Sequence, residues 1–205
     1  MGNNKLMTIK KNESSNKTKR EIDDLWQINF LITQFEKESD RAAVILIASI
    51  MDENLTNLLK SFFVPIPNSD DSVFDNATSP LSTFSSKIDI AYRTGLISGK
   101  FARDLHIIRK IRNSFAHDIY ECNFENGSVK SRIKELEKSI TMSKQINEID
   151  RPDKLLHGPR GMFLFISSIL IYQISNLTKN IKELKEANRE FFYDDATDLD
   201  FEEVK

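Results

Sequence analysis

An all-α bundle of about five to six helices is the architecture this amino-acid sequence predicts. The 205-residue chain holds 14 Phe against only six Gly and five Pro, so long uninterrupted elements outnumber tight turns. Apolar residues recur at three- and four-residue spacing, the period of a helix rather than of a strand. Two stretches, "AAVILIASIM" and "MFLFISSILIYQI", are apolar nearly all round, as helices are at the centre of a bundle.

Taken in order, residues 1–20 carry six Lys/Arg against Glu13 alone and few apolar positions, which predicts a disordered basic arm. Residues 194–205 form its acidic counterpart, and 21–193 are expected to make a single helical domain. The set Ile22, Leu25, Trp26, Phe30, Leu31 and Phe35 predicts a first amphipathic helix. Ser39 or Asp40 caps a second, "DRAAVILIASIMDENLTNLLKSFF", which Pro65 and Pro67 stop. The Pro/Asn/Asp/Ser-rich run from Pro65 to Pro80 reads as a long surface connection. A third helix starts near Ser82 and ends at Gly95; Ser98 caps a fourth that runs to about His117. "NFENGS" is a polar turn in which Asn126 and Gly127 accept positive φ, with a short hairpin as the lesser alternative. Helices from about Val129 to Ile146 and from about Met162 to Phe192 complete the chain.

Several function classes are disfavoured at once. The lone Cys122 allows no internal disulfide, and no Cys/His cluster has zinc spacing, so a reducing, cytoplasmic setting without metal or cofactor is expected. The N-terminus lacks the apolar core of a signal peptide, and "MFLFISSILIYQI" falls short of a bilayer span, so no membrane partner is expected. No Gly-rich phosphate loop or other phosphate cradle is visible, nor is a helix-turn-helix with a basic recognition helix, so sequence-specific DNA reading is not supported.

The stretch that invites a chemical reading is "IRKIRNSFAHDIY", residues 108–120. On a helix, Phe101, Leu105, Ile108, Ile111 and Phe115 share a core stripe with Ile107 at its margin, and His106, Arg109, Asn113 and His117 share a polar face. Arg112 falls inside the apolar sector, so its guanidinium must snorkel, enter an interface or pair with an acid, Asp52, Glu53 and Asp89 being the candidates. Five positions separate Arg112 from His117, about 140° around the helix, so a shared phosphate requires a distorted helix end or a twofold dimer. Such a cleft suits metal-free RNA cleavage. His117 takes the 2′-OH proton, Arg112 neutralises the phosphorane and Asn113 orients, which leaves a 2′,3′-cyclic phosphate. The same three residues also serve plain structural ends: a buried ion pair, an amide satisfying backbone, and a cation at a helix C-terminus.

"RNSFAH" resembles the motif of the HEPN superfamily of helical proteins. The order and spacing of "DRAAVILIASIMDENLTNLLKSFF", "PLSTFSSKIDIAYRTGLIS" and "DLHIIRKIRNSFAHD" resemble the mannitol operon repressor family within it, over roughly residues 39–120. The resemblance implies a HEPN-like bundle and places Arg112, Asn113 and His117 on the motif positions. It implies either a metal-independent endoribonuclease of toxin, antiphage or stress type, acting on RNA as a homodimer under a protein regulator or antitoxin, or a non-catalytic transcriptional regulator working through protein partners. Nucleotide binding without cleavage is a third reading.

Overall fold

The structure is a computed structural model and describes residues 25–66, 70–118, 122–141 and 158–186. Six helices and no strand occur among them, and we number these α1 (25–36), α2 (Asp40–Phe62), α3 (Phe84–Arg93), α4 (Gly99–His117), α5 (Gly127–Thr141) and α6 (Gly158–Asn180). The basic arm and the acidic tail lie outside the described residues.

Helix starts follow from capping chemistry. The hydroxyls of Ser39, Thr83 and Ser98 accept from the amides of Ala42, Ser86 and Phe101, which fixes the first turns of α2, α3 and α4. Gly95, at φ 76°, closes α3: the Leu96 amide bonds back to the Ala91 carbonyl at 2.9 Å, a turn that a Cβ would strain. At the 123–126 turn no hairpin forms. Asn123 Oδ1 accepts from the amides of Glu125 and Asn126, and Asn126 Oδ1 from that of Ser128, so side chains close the turn and neither Asn126 nor Gly127 needs positive φ.

The core forms where α2 and α6 lie against each other. α2 buries Val44, Ile47, Met51, Leu55, Leu58 and Leu59; α6 buries an unbroken run from Phe163 to Ile171. Both helices have 23 residues and are apolar enough to cross a bilayer, yet they are the packed centre of this bundle. α4 covers α2, α5 covers α6, and α3 bridges α2 and α4. The expected stripe on α4 is in place, with Leu105, Ile108, Ile111 and Phe115 fully buried and Phe101 and Ile107 at the margin. The connection after α2 is pinned by Phe74 and Leu81, with Lys60 bonded to Asp75 at 3.1 Å and lying over the Phe74 ring.

Two further expectations hold only in part. α1 forms and packs Leu31 and Phe35 on the core, but Ile28 and Ile32 turn inward with them, while Trp26 and Phe30 stack on each other at 5.7 Å and stay exposed. The last helix stops at Asn180 instead of running on toward Phe192, which lies outside the described residues; residues 181–186 are non-helical and the Leu184 amide donates to the Phe62 carbonyl at 2.7 Å. That bond supplies a donor to a carbonyl at the end of α2, which further helix would withhold.

Arg160, in the first turn of α6, ties the corner between α1 and α2. Its guanidinium bonds Asp40 at 2.9 Å and the carbonyls of Glu36 and Glu38 at 3.2 and 2.8 Å. Arg160→Ala should therefore lower the free energy of unfolding by about 2 kcal/mol in urea titration, and Arg160→Lys should recover only part, because one ammonium cannot span that fan of acceptors.

Candidate functional site

The polar face of α4 is left over once its stripe has been buried. Its middle faces the first turn of α3 and one edge of α2, and between the three lies a cleft of about 340 Å³. Ser49 and Asp52 of α2, Ser82 to Ser85 at the start of α3, and Arg109, Arg112 and Asn113 of α4 line it. Asp52 is engaged by Lys87, whose side chain is 9% exposed and whose ammonium sits 2.8 Å from its Oδ1. Asp89 is engaged by His106 at 3.0 Å.

Both pairings correct the expected role of these acids as partners of Arg112. Arg112 is exposed, and its Nη1 donates to Asn113 Oδ1 at 3.1 Å; among the described residues it makes no ion pair. Its long stem carries the guanidinium out of the apolar sector to the cleft mouth, the snorkelling option. His117 is exposed as the last residue of α4 and does not line the cleft. The chain thus brings Arg112 and Asn113 together and leaves His117 a turn away, as a straight helix requires.

The end of α4 is held from two sides. Arg41, in the first turn of α2, donates to the carbonyls of Phe115 and, at 2.8 Å, Asp118. Arg132 of α5 donates to Ser114 Oγ at 2.7 Å and reaches the Lys110 carbonyl. A guanidinium at the N-terminus of its own helix opposes that helix's dipole, and this was the one sequence sign that Arg41 serves another element. Asp104, buried and bonded to Arg103 at 2.8 Å, gave no such sign. Arg109 lies on the polar face, and helical periodicity alone does not reveal that it enters the cleft; its Nε is enclosed and has no partner among the described residues.

Just past this end lies Cys122. Burial raises its thiol above the ordinary range, the Asp118 carboxylate adds to the shift, and Arg41 and Arg132 oppose it. The thiolate is disfavoured, so Cys122 is a poor nucleophile near neutral pH.

The fold class is therefore an all-α bundle with an arginine-lined cleft on the outer face of its fourth helix. No family model and no curated protein matches the chain. Among solved structures, the X-ray structure of the MtlR–HPr complex from Escherichia coli contains a chain to which this protein is similar, with a TM-score of 0.51 at 18% identity. The similarity covers 72% of this protein and 98% of that chain. At that identity the likeness is one of fold, and the fold is mannitol-repressor-like.

Two outcomes test this geometry. Arg112→Ala should leave unfolding free energy within about 0.5 kcal/mol of wild type, whereas Arg41→Ala should cost about 1–3 kcal/mol by freeing the end of α4. Iodoacetamide should label native Cys122 slowly at pH 7.5 and faster as the pH is raised toward and above the ordinary thiol range; rapid labelling at pH 7.5 would contradict the described burial.

Proposed function

We propose that this protein is a regulator that works through contacts with protein partners, in the manner of a mannitol-repressor-like protein, and that it does so in the cytoplasm. The observation that carries the reading is the fold likeness, which takes in nearly the whole of a chain from a structure of a two-protein complex. The motif geometry supports it, because one chain does not offer the Arg112 guanidinium and the His117 imidazole to one phosphate. A fold whose documented relative was crystallised with HPr makes HPr the first partner to test.

A second reading, a metal-independent endoribonuclease of HEPN type, is favoured by one observation. Arg112 and His117 are exposed, and neither makes an ion pair among the described residues, so the fold does not consume them. This reading needs a homodimer that faces two copies of α4 across a twofold axis and pools their arginines and histidines. His117 of one copy would then take the 2′-OH proton as that oxygen attacks phosphorus, Arg112 would neutralise the phosphorane, and the second copy's histidine would protonate the 5′ oxygen as the P–O5′ bond breaks, leaving a 2′,3′-cyclic end.

Calorimetric titration with Escherichia coli HPr, run beside incubation of labelled total RNA and tRNA in EDTA, separates the two. The regulator reading expects saturable binding and intact RNA. EDTA-resistant cleavage that His117→Ala abolishes, with the variant still folded, would replace it with the nuclease.

A further inference from the structure

The cleft between α2, α3 and α4 has the makings of an anion site in which Arg112 and Asn113 of the sequence motif are joined by donors the motif does not contain. Two guanidiniums line it, and neither is neutralised: Lys87 offsets Asp52, while Arg109 and Arg112 make no ion pair with any described acid. The cavity therefore holds two positive charges in excess. Arg109 Nε is enclosed, a donor that desolvation penalises unless an acceptor arrives.

The first turn of α3 supplies a second set of donors. Thr83 caps the Ser86 amide and its carbonyl takes the Lys87 amide, which leaves the amides of Phe84 and Ser85 without a partner among the described residues. Both residues line the cleft, which sets the N-terminal end of α3 beside the arginines. Asn113 and the hydroxyls of Ser49 and Ser85 complete the lining. Fixed amides, planar guanidiniums and small hydroxyls converging from three elements match an oxyanion with several acceptor oxygens.

Size and charge narrow the class. A volume of about 340 Å³ is at the low end for small-molecule sites. A terminal phosphoryl group with a compact body fits such a space, whereas a diester strand must enter and leave. Two surplus charges match a dianion better than the single charge of a diester. We propose that this cleft binds a phosphomonoester dianion through Arg109, Arg112 and the amide end of α3, a function that goes beyond partner binding and does not depend on it.

The test is calorimetric titration of the full chain with glycerol 3-phosphate at pH 7.5 and constant ionic strength. We expect saturable binding of one ligand per chain, weakened about tenfold or more by either Arg109→Gln or Arg112→Gln. Affinity should fall at pH 5.5, where the monoester takes up its second proton, whose pKa is about 6. Sulfate, a dianion at both pH values, reports any change in the protein itself. Should Arg109→Gln fail to fold, Arg112→Gln, altered at an exposed position, still decides the matter. A phosphoserine peptide in a parallel arm shows whether the phosphoryl group arrives on a free metabolite or on a protein side chain; the tighter of the two names the source. The proposal falls if wild type binds neither monoester, or if wild type and both variants bind alike. It also falls if single-stranded RNA binds with this arginine dependence while the monoesters do not.

Discussion

The pairing of α2 with α6 is the constraint from which the rest of the molecule follows. Each helix carries more apolar surface than one contact can bury, so once they meet, most of what remains is covered by other elements. α4 and α5 supply the covers, and α3 fills the angle between α2 and α4. Because α4 gives its Leu105–Phe115 stripe to this task, its opposite face is displayed beside the start of α3. The cleft is thus a by-product of core burial, positioned by apolar residues that never touch it.

A second physical theme is the closing of helix C-termini by donors from distant sequence. The last carbonyls of a helix lack intrahelical partners. Arg160 reaches those at the end of α1, Arg41 those at the end of α4, and the Leu184 amide that of Phe62 at the end of α2. The guanidinium suits the task because several N–H groups in one plane serve several acceptors at once. These bonds also fix where helices sit relative to one another, since each joins the end of one helix to a residue well away in the chain.

Local chemistry was legible in the sequence, and pairing across elements was not. The span of α2, the Ser39 and Ser98 caps, the Gly95 stop and the stripe on α4 were all readable, because each depends on residues within a turn or two of one another. The orientation of α1 was not, since Trp26 and Phe30 lie at helical spacing as well as Ile28 and Ile32 do, and only the neighbour selects between them. The same limit explains Arg112. Its position in the apolar sector was correct, but whether an arginine there is buried with an acid or extends to a rim depends on which acids are already taken. Asp52 belongs to Lys87 and Asp89 to His106. The anion cleft was legible only in part: Arg112 and Asn113 belong to the motif, whereas the backbone amides at the start of α3 carry no residue letter.

These geometries connect the cleft to the exposed end of α4. Asn113 and His117 are four residues apart on one face, about one helical turn or about 6 Å along the axis. A dianion held by Arg109 and Arg112 would cancel the surplus charge of the cleft about 7 to 12 Å along the axis from His117, a range comparable with the Debye length of about 8 Å at physiological ionic strength, so its effect there is partly screened. The field at the His117 surface would then change without movement of the backbone, which Arg41 and Arg132 hold in place. A partner docking near that end would meet a different charge according to whether the cleft is filled, and electrostatic complementarity acts chiefly on encounter rate and specificity. A rigid helix carrying an anion site and an exposed end would let a bound anion alter the charge a partner meets, an effect that fades as salt is raised.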